Sequence, residues 1–459
     1  MSKLKETLFQ SWQNLSESWR YAIAAFLLLR LLYAGWSCIV LTAQPVAVQN
    51  FELAGEPILS IFRLSDSQAY TYSREVNGNV LTFAPADADH LIDHQTGSIW
   101  NISNGTAVQG AYKGISLRPS KTPASRLFPY HSAMPYSSAW LALWQRFDAN
   151  WYISIAEKGY GSTPGDIHFP PLFPLLMRAL QPVFGSSFLA GLFLAHLGTV
   201  LALKNLYELF VTWGDKETGR RAFLFFAIFP TFFFLFSAYS EPLFLAATFL
   251  AFKAMQKRSW LWAGFWVFCA ILIRLQGVAL LAPMLVLIWR DRPFLGRLSH
   301  WGGLLIIGIA GLTYLSLRSM TTLQNTLPLV EEDLHARLVF PWQSYTYAVK
   351  TIFTGNASFV DFLNWAITTL FLVLLAAGWK KIPCEYSLFT AVSLMVILSR
   401  VVETQPLVSM SRYALTLFPS FYILSLEGKK PLLRRAIIYP SILLNLYLSG
   451  QFFLWGWVA

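Results

Sequence analysis

Apolar residues run along this chain in long stretches, broken by short pieces rich in lysine and arginine. A stretch of roughly 20 apolar residues can cross a bilayer as a helix, because a helix satisfies its own backbone hydrogen bonds where no water is present. The first, "YAIAAFLLLRLLYAGWSCIVLTA" from Tyr21, exceeds a signal-peptide core and ends without a small-residue cleavage site, so it reads as a retained helix. Lys3, Lys5 and Arg20 precede it, which places the amino terminus in the cytoplasm. The same rule puts "GDKETGRR", "KRS", "RDRPFLGR", "GWKK" and "EGKKPLLRR" inside. About eleven crossings follow, with "SAYSEP", "RLQG", "EEDLHAR" and "RVVETQPLVSMSR" at the outer side together with Asp148.

Two regions depart from the long-run pattern. Residues 45 to 139 mix Gly, Asn, Asp, Ser and Pro with short alternating pieces such as "GNVLTFAPA", and read as an extracytoplasmic insert of mixed or irregular structure. In the stretch "RFDANWYISIAEKGY", a helical wheel places Trp144, Phe147, Trp151, Tyr152 and Ile155 on one face and Arg146, Asn150 and Glu157 on the other. That pattern predicts a flat interfacial helix with Asp148 on its apolar side, between Trp144 and Tyr152. The prolines of "FPPLFPLLMRALQPVFG" favour a short or re-entrant piece after it. The expected division is thus 1–44, cytoplasmic terminus and first transmembrane helix; 45–139, insert; 140–186, interfacial amphipathic helix and re-entrant segment; and 187–459, polytopic transmembrane domain.

Composition agrees with an all-α polytopic membrane protein. Of 459 residues 55% are hydrophobic and only 13% charged, against about 25% charged in soluble domains. The formal charge of +11 sits largely in the loops, so no basic stripe on a soluble domain offers a path for nucleic acid. Cys38, Cys269 and Cys384 have no spacing suited to zinc or to a disulfide framework. Asn101 and Asn104 each open an N-x-[ST] sequon, which matters only in a secretory pathway. The sequence names no metal ligands and no cofactor, and leaves a divalent cation open.

Candidate chemistry gathers in a few polar residues inside apolar surroundings. Residues 260 to 289 form one apolar run that would be about 45 Å long as a helix against a hydrocarbon core of about 30 Å. It must tilt or break, with Gly277 a breaking point beside Arg274. An arginine at mid-bilayer without a partner costs about 2.5 to 3.5 kcal/mol, so Arg274 calls for an anion. Glu241, followed by Pro242 at a helix start, is a candidate, either as a structural ion pair or as part of a polar cavity. Arg412 and Tyr413 open another span; an arginine there suits a phosphate, and also suits snorkelling. Asp166 and His168 precede "FPPLFP" and could join the same outer pocket.

In order, "FDANWYISIAEKGY", "HFPPLFPLLMRAL", "FPTFFFLFSAYSEPLFL", "LIRLQGVALLAP" and "SMSRYALTLFP" resemble the PIG-V family of polytopic mannosyltransferases, within the GT-C glycosyltransferase superfamily. The resemblance covers residues 140 to about 425 and is silent on the insert. Phe147, Pro242, Leu275 and Gln276 depart from the family pattern, which leaves the acceptor open. The resemblance implies a GT-C fold and transfer of a hexose, mannose in that family, from a polyprenyl- or dolichyl-phosphate donor to an extracytoplasmic lipid-linked glycan acceptor. Such chemistry needs a base for an acceptor hydroxyl and cations for the departing phosphate. Asp148 fits the first role. Arg274 and Arg412 fit the second, with Gln276 and Tyr413 donating hydrogen bonds and Glu241, Asp166 and His168 in support. One base and one displacement imply inversion at the sugar. The rival class is a transporter or lipid flippase, because buried Glu and Arg also mark permeation paths.

Overall fold

The computed structural model describes residues 12–43, 45–53, 55–63, 68–120, 136–162, 165–291, 296–323, 336–402 and 405–458. The acidic stretch "EEDLHAR" lies outside the described residues for all but its last two positions. The chain divides into two compact units, one of residues 1–31, 155–448 and 458–459, the other of residues 32–154 and 449–457.

In chain order the elements are α1 (Glu17–Ala43), β1 (Val46–Leu53), β2 (Glu56–Arg63), β3 (Gln68–Ser73), β4 (Glu75–Val76), β5 (Asn79–Val80), β6 (Phe83–Pro85), β7 (His90–Asp93), β8 (Ile99–Asn101) and β9 (Ala107–Gln109). Helices α2 (Ala139–Ala142), α3 (Asp148–Lys158), α4 (Leu172–Phe184), α5 (Ser187–Thr212), α6 (Lys216–Ala227), α7 (Glu241–Gln256), α8 (Trp260–Ile273), α9 (Leu281–Arg290) and α10 (Leu298–Leu323) follow. The chain continues with β10 (Ala336–Leu338), α11 (Pro341–Phe353), α12 (Phe359–Gly378), α13 (Cys384–Leu398), β11 (Arg400–Val402), α14 (Met410–Tyr413), α15 (Pro419–Glu427) and α16 (Pro431–Phe453).

The unit of residues 155–448 is helical. Among the described residues five helices, α1, α5, α10, α12 and α16, are long and apolar enough to cross a membrane, so this is an integral membrane protein by the length and composition of its helices. Close packing is set by small residues. A Cβ at Gly198 of α5 would stand 2.7 Å from the carbonyl carbon of Pro242, so only glycine lets α5 approach the start of α7 this closely. Thr199 Oγ1 donates to the Leu235 carbonyl at 2.6 Å and Thr231 Oγ1 to the Ser411 carbonyl at 2.8 Å. These bonds tie the aromatic 3-10 turn Phe232–Phe236 to α5 on one side and to α14 on the other.

In the second unit the insert is more regular than its composition suggests. β1, β2 and β3 form an antiparallel sheet in that order, and β6 to β9 a four-stranded meander. β4 and β5 pair across Asn77 and Gly78, both at positive φ as a two-residue hairpin requires. The short alternating pieces of this region thus form strands, from two residues in β4 and β5 to eight in β1 and β2. Burial of Leu59, Ile61, Leu81, Leu91 and Trp100 supplies one core. Asp93, at the end of β7, is wholly buried among them. It accepts from Thr96 N (2.6 Å), Ser98 N (3.1 Å), Trp100 Nε1 (2.9 Å) and Thr96 Oγ1 (2.8 Å). Burial pushes its pKa up, but the Trp100, Thr96 and Ser98 hydrogen bonds outweigh it, and the carboxyl titrates below its ordinary range.

The solvated face predicted for residues 144–157 shrinks to Glu157 at its far end. The helix begins only at Asp148, because Phe147 takes a left-handed φ of 47°, so Trp144 and Phe147 precede it. Arg146 and Asn150, expected in water, are 2% and 3% exposed. The Arg146 guanidinium lies 4.6 Å from the Trp455 ring centre and 5.3 Å from that of Phe62, and its Nε and Nη2 donate to the Phe453 carbonyl at 3.1 and 3.0 Å. Ring faces and carbonyls replace the water the wheel assigned to it.

Candidate functional site

The site in the helical unit starts from a helix that stops. α8 ends at Arg274, whose φ of −152° and ψ of 137° are extended, and the chain turns back through a 3-10 segment, Leu275–Leu280, before α9. The break therefore falls three residues before Gly277. Gly277 instead serves close packing, since a Cβ there would sit 2.5 Å from Ala270 C and Ile271 N, and the returning turn lies directly on the backbone of α8.

A second chain break supplies the acid. Ser240 precedes α7, Pro242 occupies its first turn, where a missing N–H costs nothing, and Glu241 stands beside it with no exposed surface. A third supplies the other cation. Ser409 adopts a left-handed φ of 64° and the single turn Met410–Tyr413 carries Arg412 inward to 7% exposure. A serine in this region is strained, and such strain persists only where surrounding structure enforces it. Here Asn364 Oδ1 accepts from Ser411 N at 2.9 Å and Thr231 donates to the Ser411 carbonyl, so both backbone groups of the turn are pinned.

The three breaks converge on one carboxylate. Arg274 Nη1 lies 2.7 Å and Arg412 Nε 3.3 Å from Glu241 Oε1. Both are ion-pair contacts, and neither oxygen of Glu241 accepts a hydrogen bond from the described residues. Arg274 Nη1 also donates to Ser240 Oγ (3.1 Å) and its Nε to Gln276 Oε1 (3.2 Å), while Arg412 Nη2 donates to Ser409 Oγ (3.3 Å). The ring of Tyr413 lies 5.1 Å from the Arg274 guanidinium and 5.3 Å from that of Arg412, with Tyr239 and Phe234 also against Arg412. Two guanidiniums thus share one buried carboxylate, and the planar fork of each suits an anion such as a phosphate.

The structure thus brings together Glu241, Arg274, Gln276, Arg412 and Tyr413. Ser240, Ser409, Tyr239 and Phe234 complete the cluster, although sequence reasoning did not single them out; the first two flank the chosen charges inside "SAYSEP" and "SMSRY". Asp166 and His168 stand in a short turn of the loop before α4, where each makes local contacts. Asp166 Oδ2 accepts from Gly161 N at 2.8 Å, His168 Nδ1 lies 3.0 Å from the Gly165 carbonyl, and Tyr160 donates to the Phe169 carbonyl. Asp148 belongs to the other unit. It is half-buried in the first turn of α3, where the backbone N–H groups of a helix start favour a carboxylate. Among the described residues no group of three or more His, Cys, Asp or Glu side chains is arranged to hold a metal.

No protein-family model matches the chain, and no curated protein matches it. Among solved structures, the chain is similar to ArnT from Cupriavidus metallidurans bound to undecaprenyl phosphate, at 14% identity and a TM-score of 0.39, over 64% of this chain and 67% of that one.

Proposed function

We propose that the chain is a multi-pass glycosyltransferase of the GT-C type that moves a hexose, mannose in our reading, from a polyprenyl- or dolichyl-phosphate donor to a lipid-linked glycan on the extracytoplasmic side, with inversion. The observation that supports this is the pair of buried arginines that share Glu241. In this reading Glu241 orients Arg274, and the planar forks of Arg274 and Arg412 stabilise the negative charge that develops on the lipid phosphate as the sugar leaves. Gln276 and Tyr413 fix the guanidiniums. Asp148 takes the proton from the acceptor hydroxyl as the new glycosidic bond forms at the anomeric carbon and the bond to phosphate breaks. Asp166 and His168 support the loop that follows α3.

Membranes supplied with radiolabelled polyprenyl-phosphate mannose test the reading. The wild-type protein incorporates label, and Asp148→Asn lowers incorporation about 10²- to 10⁴-fold, the range for loss of a general base. Normal incorporation by a folded Asp148→Asn protein removes the base assignment. Incorporation from a nucleotide sugar in lipid-free reconstitution overturns the donor class.

A further inference from the structure

Away from the arginine cluster, the helical unit contains a cavity of about 490 Å³ between residues 16–18, the last two turns of α5 and the last two turns of α7. Phe249, Phe252, Leu209 and Val211 make its walls largely apolar. Its polar groups are concentrated around Glu208, whose carboxylate receives Lys204 (2.6 Å), Lys253 (2.7 Å) and Ser18 Oγ (2.8 Å). Glu17, also at the wall, is occupied in the same way by Arg220 and Tyr207, each at 2.8 Å, and by Lys216.

These contacts decide the sign of the ligand. Both carboxylates already accept three donors, close to the roughly four lone-pair positions a carboxylate offers, so a cationic ligand finds little to bind. Lys253 has three N–H donors, and its hydrogen bond to Glu208 uses one. With Lys204 and Lys253 both on Glu208, this corner holds one surplus positive charge among the described residues. Glu17 and Glu217 balance Lys216 and Arg220.

A surplus charge of one, spare ammonium donors and aromatic walls match a phosphodiester carrying a hydrocarbon chain. The cavity also lies where the cation-rich loops 214–221 and 257–259 place the cytoplasmic leaflet, whose anionic lipids concentrate near such loops. We infer that this cavity binds an anionic phospholipid, its phosphodiester on Lys253 and its first acyl carbons against Phe249 and Phe252. The site is independent of the proposed sugar transfer.

The test is native mass spectrometry of the full-length protein released from mixed micelles of phosphatidylglycerol and phosphatidylcholine with matched chains. Phosphatidylglycerol should be retained preferentially. Lys253→Gln should weaken its retention about ten-fold, the loss of one charge-assisted contact, and Lys253→Arg should restore it, which separates a lost contact from a lost fold. Millimolar orthophosphate should not displace the lipid. Equal retention of the two lipids, full retention by Lys253→Gln, or displacement by orthophosphate would each overturn the inference.

Discussion

Two buried acids, one in each unit, are treated in opposite ways. Asp93 in the insert and Glu241 in the helical unit both have no exposed surface. Asp93 is saturated by neutral donors from its own turn and the neighbouring strand, all within seven residues of chain. Glu241 has two guanidiniums within ion-pair distance, drawn from chain breaks 33 and 171 positions further along, and no hydrogen bond to either oxygen from the described residues. A saturated acid closes a structure. An acid that gathers guanidiniums from distant chain breaks orients them instead, and the role proposed for Glu241, Arg274 and Arg412 rests on that contrast.

The sharpest way to break the comparison is to keep charge and remove geometry. Arg274→Lys and Arg412→Lys retain each cation but lose the planar fork. Each should lower transfer from polyprenyl-phosphate mannose about 10²- to 10³-fold, as removal of a donor to developing charge does, with the melting of the detergent-solubilised protein little altered. Undiminished transfer would reduce the cluster to a structural ion pair.

The converse experiment removes the saturated acid. Asp93→Ala strands the buried Trp100 indole N–H and the backbone N–H of Thr96, and leaves Ser98 N only its 3.3 Å bond to Thr96 Oγ1. An unsatisfied buried group costs about 1 to 3 kcal/mol, so the insert should lose roughly 3 kcal/mol, read as earlier protease cleavage between residues 46 and 109. Sugar transfer should persist while the helical unit stays folded. A collapse of transfer equal to that of Arg412→Lys, in protein with an intact insert, would make Asp93 part of the machinery.

A smaller effect comes from acid. The Asp93 carboxyl titrates below its ordinary range in the folded insert, so its contribution is fully present above the unfolded value of about 3.9 and is lost as pH falls through the depressed one. Protease resistance of the insert should therefore decline below about pH 4, and Asp93→Asn should flatten that part of the profile. An unchanged profile would mean that other groups control the acid limb.

How much of this could be read from residues alone follows the distance over which each contact acts. The helical character, the interrupted run at 260–289 and the need of Arg274 for an anion rest on local composition, and Glu241 was within reach as its partner. That Arg412 would share the same oxygen was not, because the turn carrying it depends on a left-handed serine and on Thr231 and Asn364 far away in the chain. The wheel over 144–157 failed for the same reason. Phe453 and Trp455, which hold Arg146, lie some 300 positions downstream, and the periodicity of one segment is blind to them. In the insert the short alternating pieces pointed to strands, but the order in which β6 to β9 pair rests on contacts between them that no single segment reveals.

The turn after Arg274 has an implication for how this region tolerates change. With backbone atoms 2.5 Å from the place of any Cβ at position 277, that site admits a single residue, whereas Leu275, two places earlier, is 44% exposed. A library randomised over 275 to 278 and selected for transfer should return glycine at one column and a broad assortment at 275. The permitted alphabet at each step would then trace the outline of the fold without any coordinates.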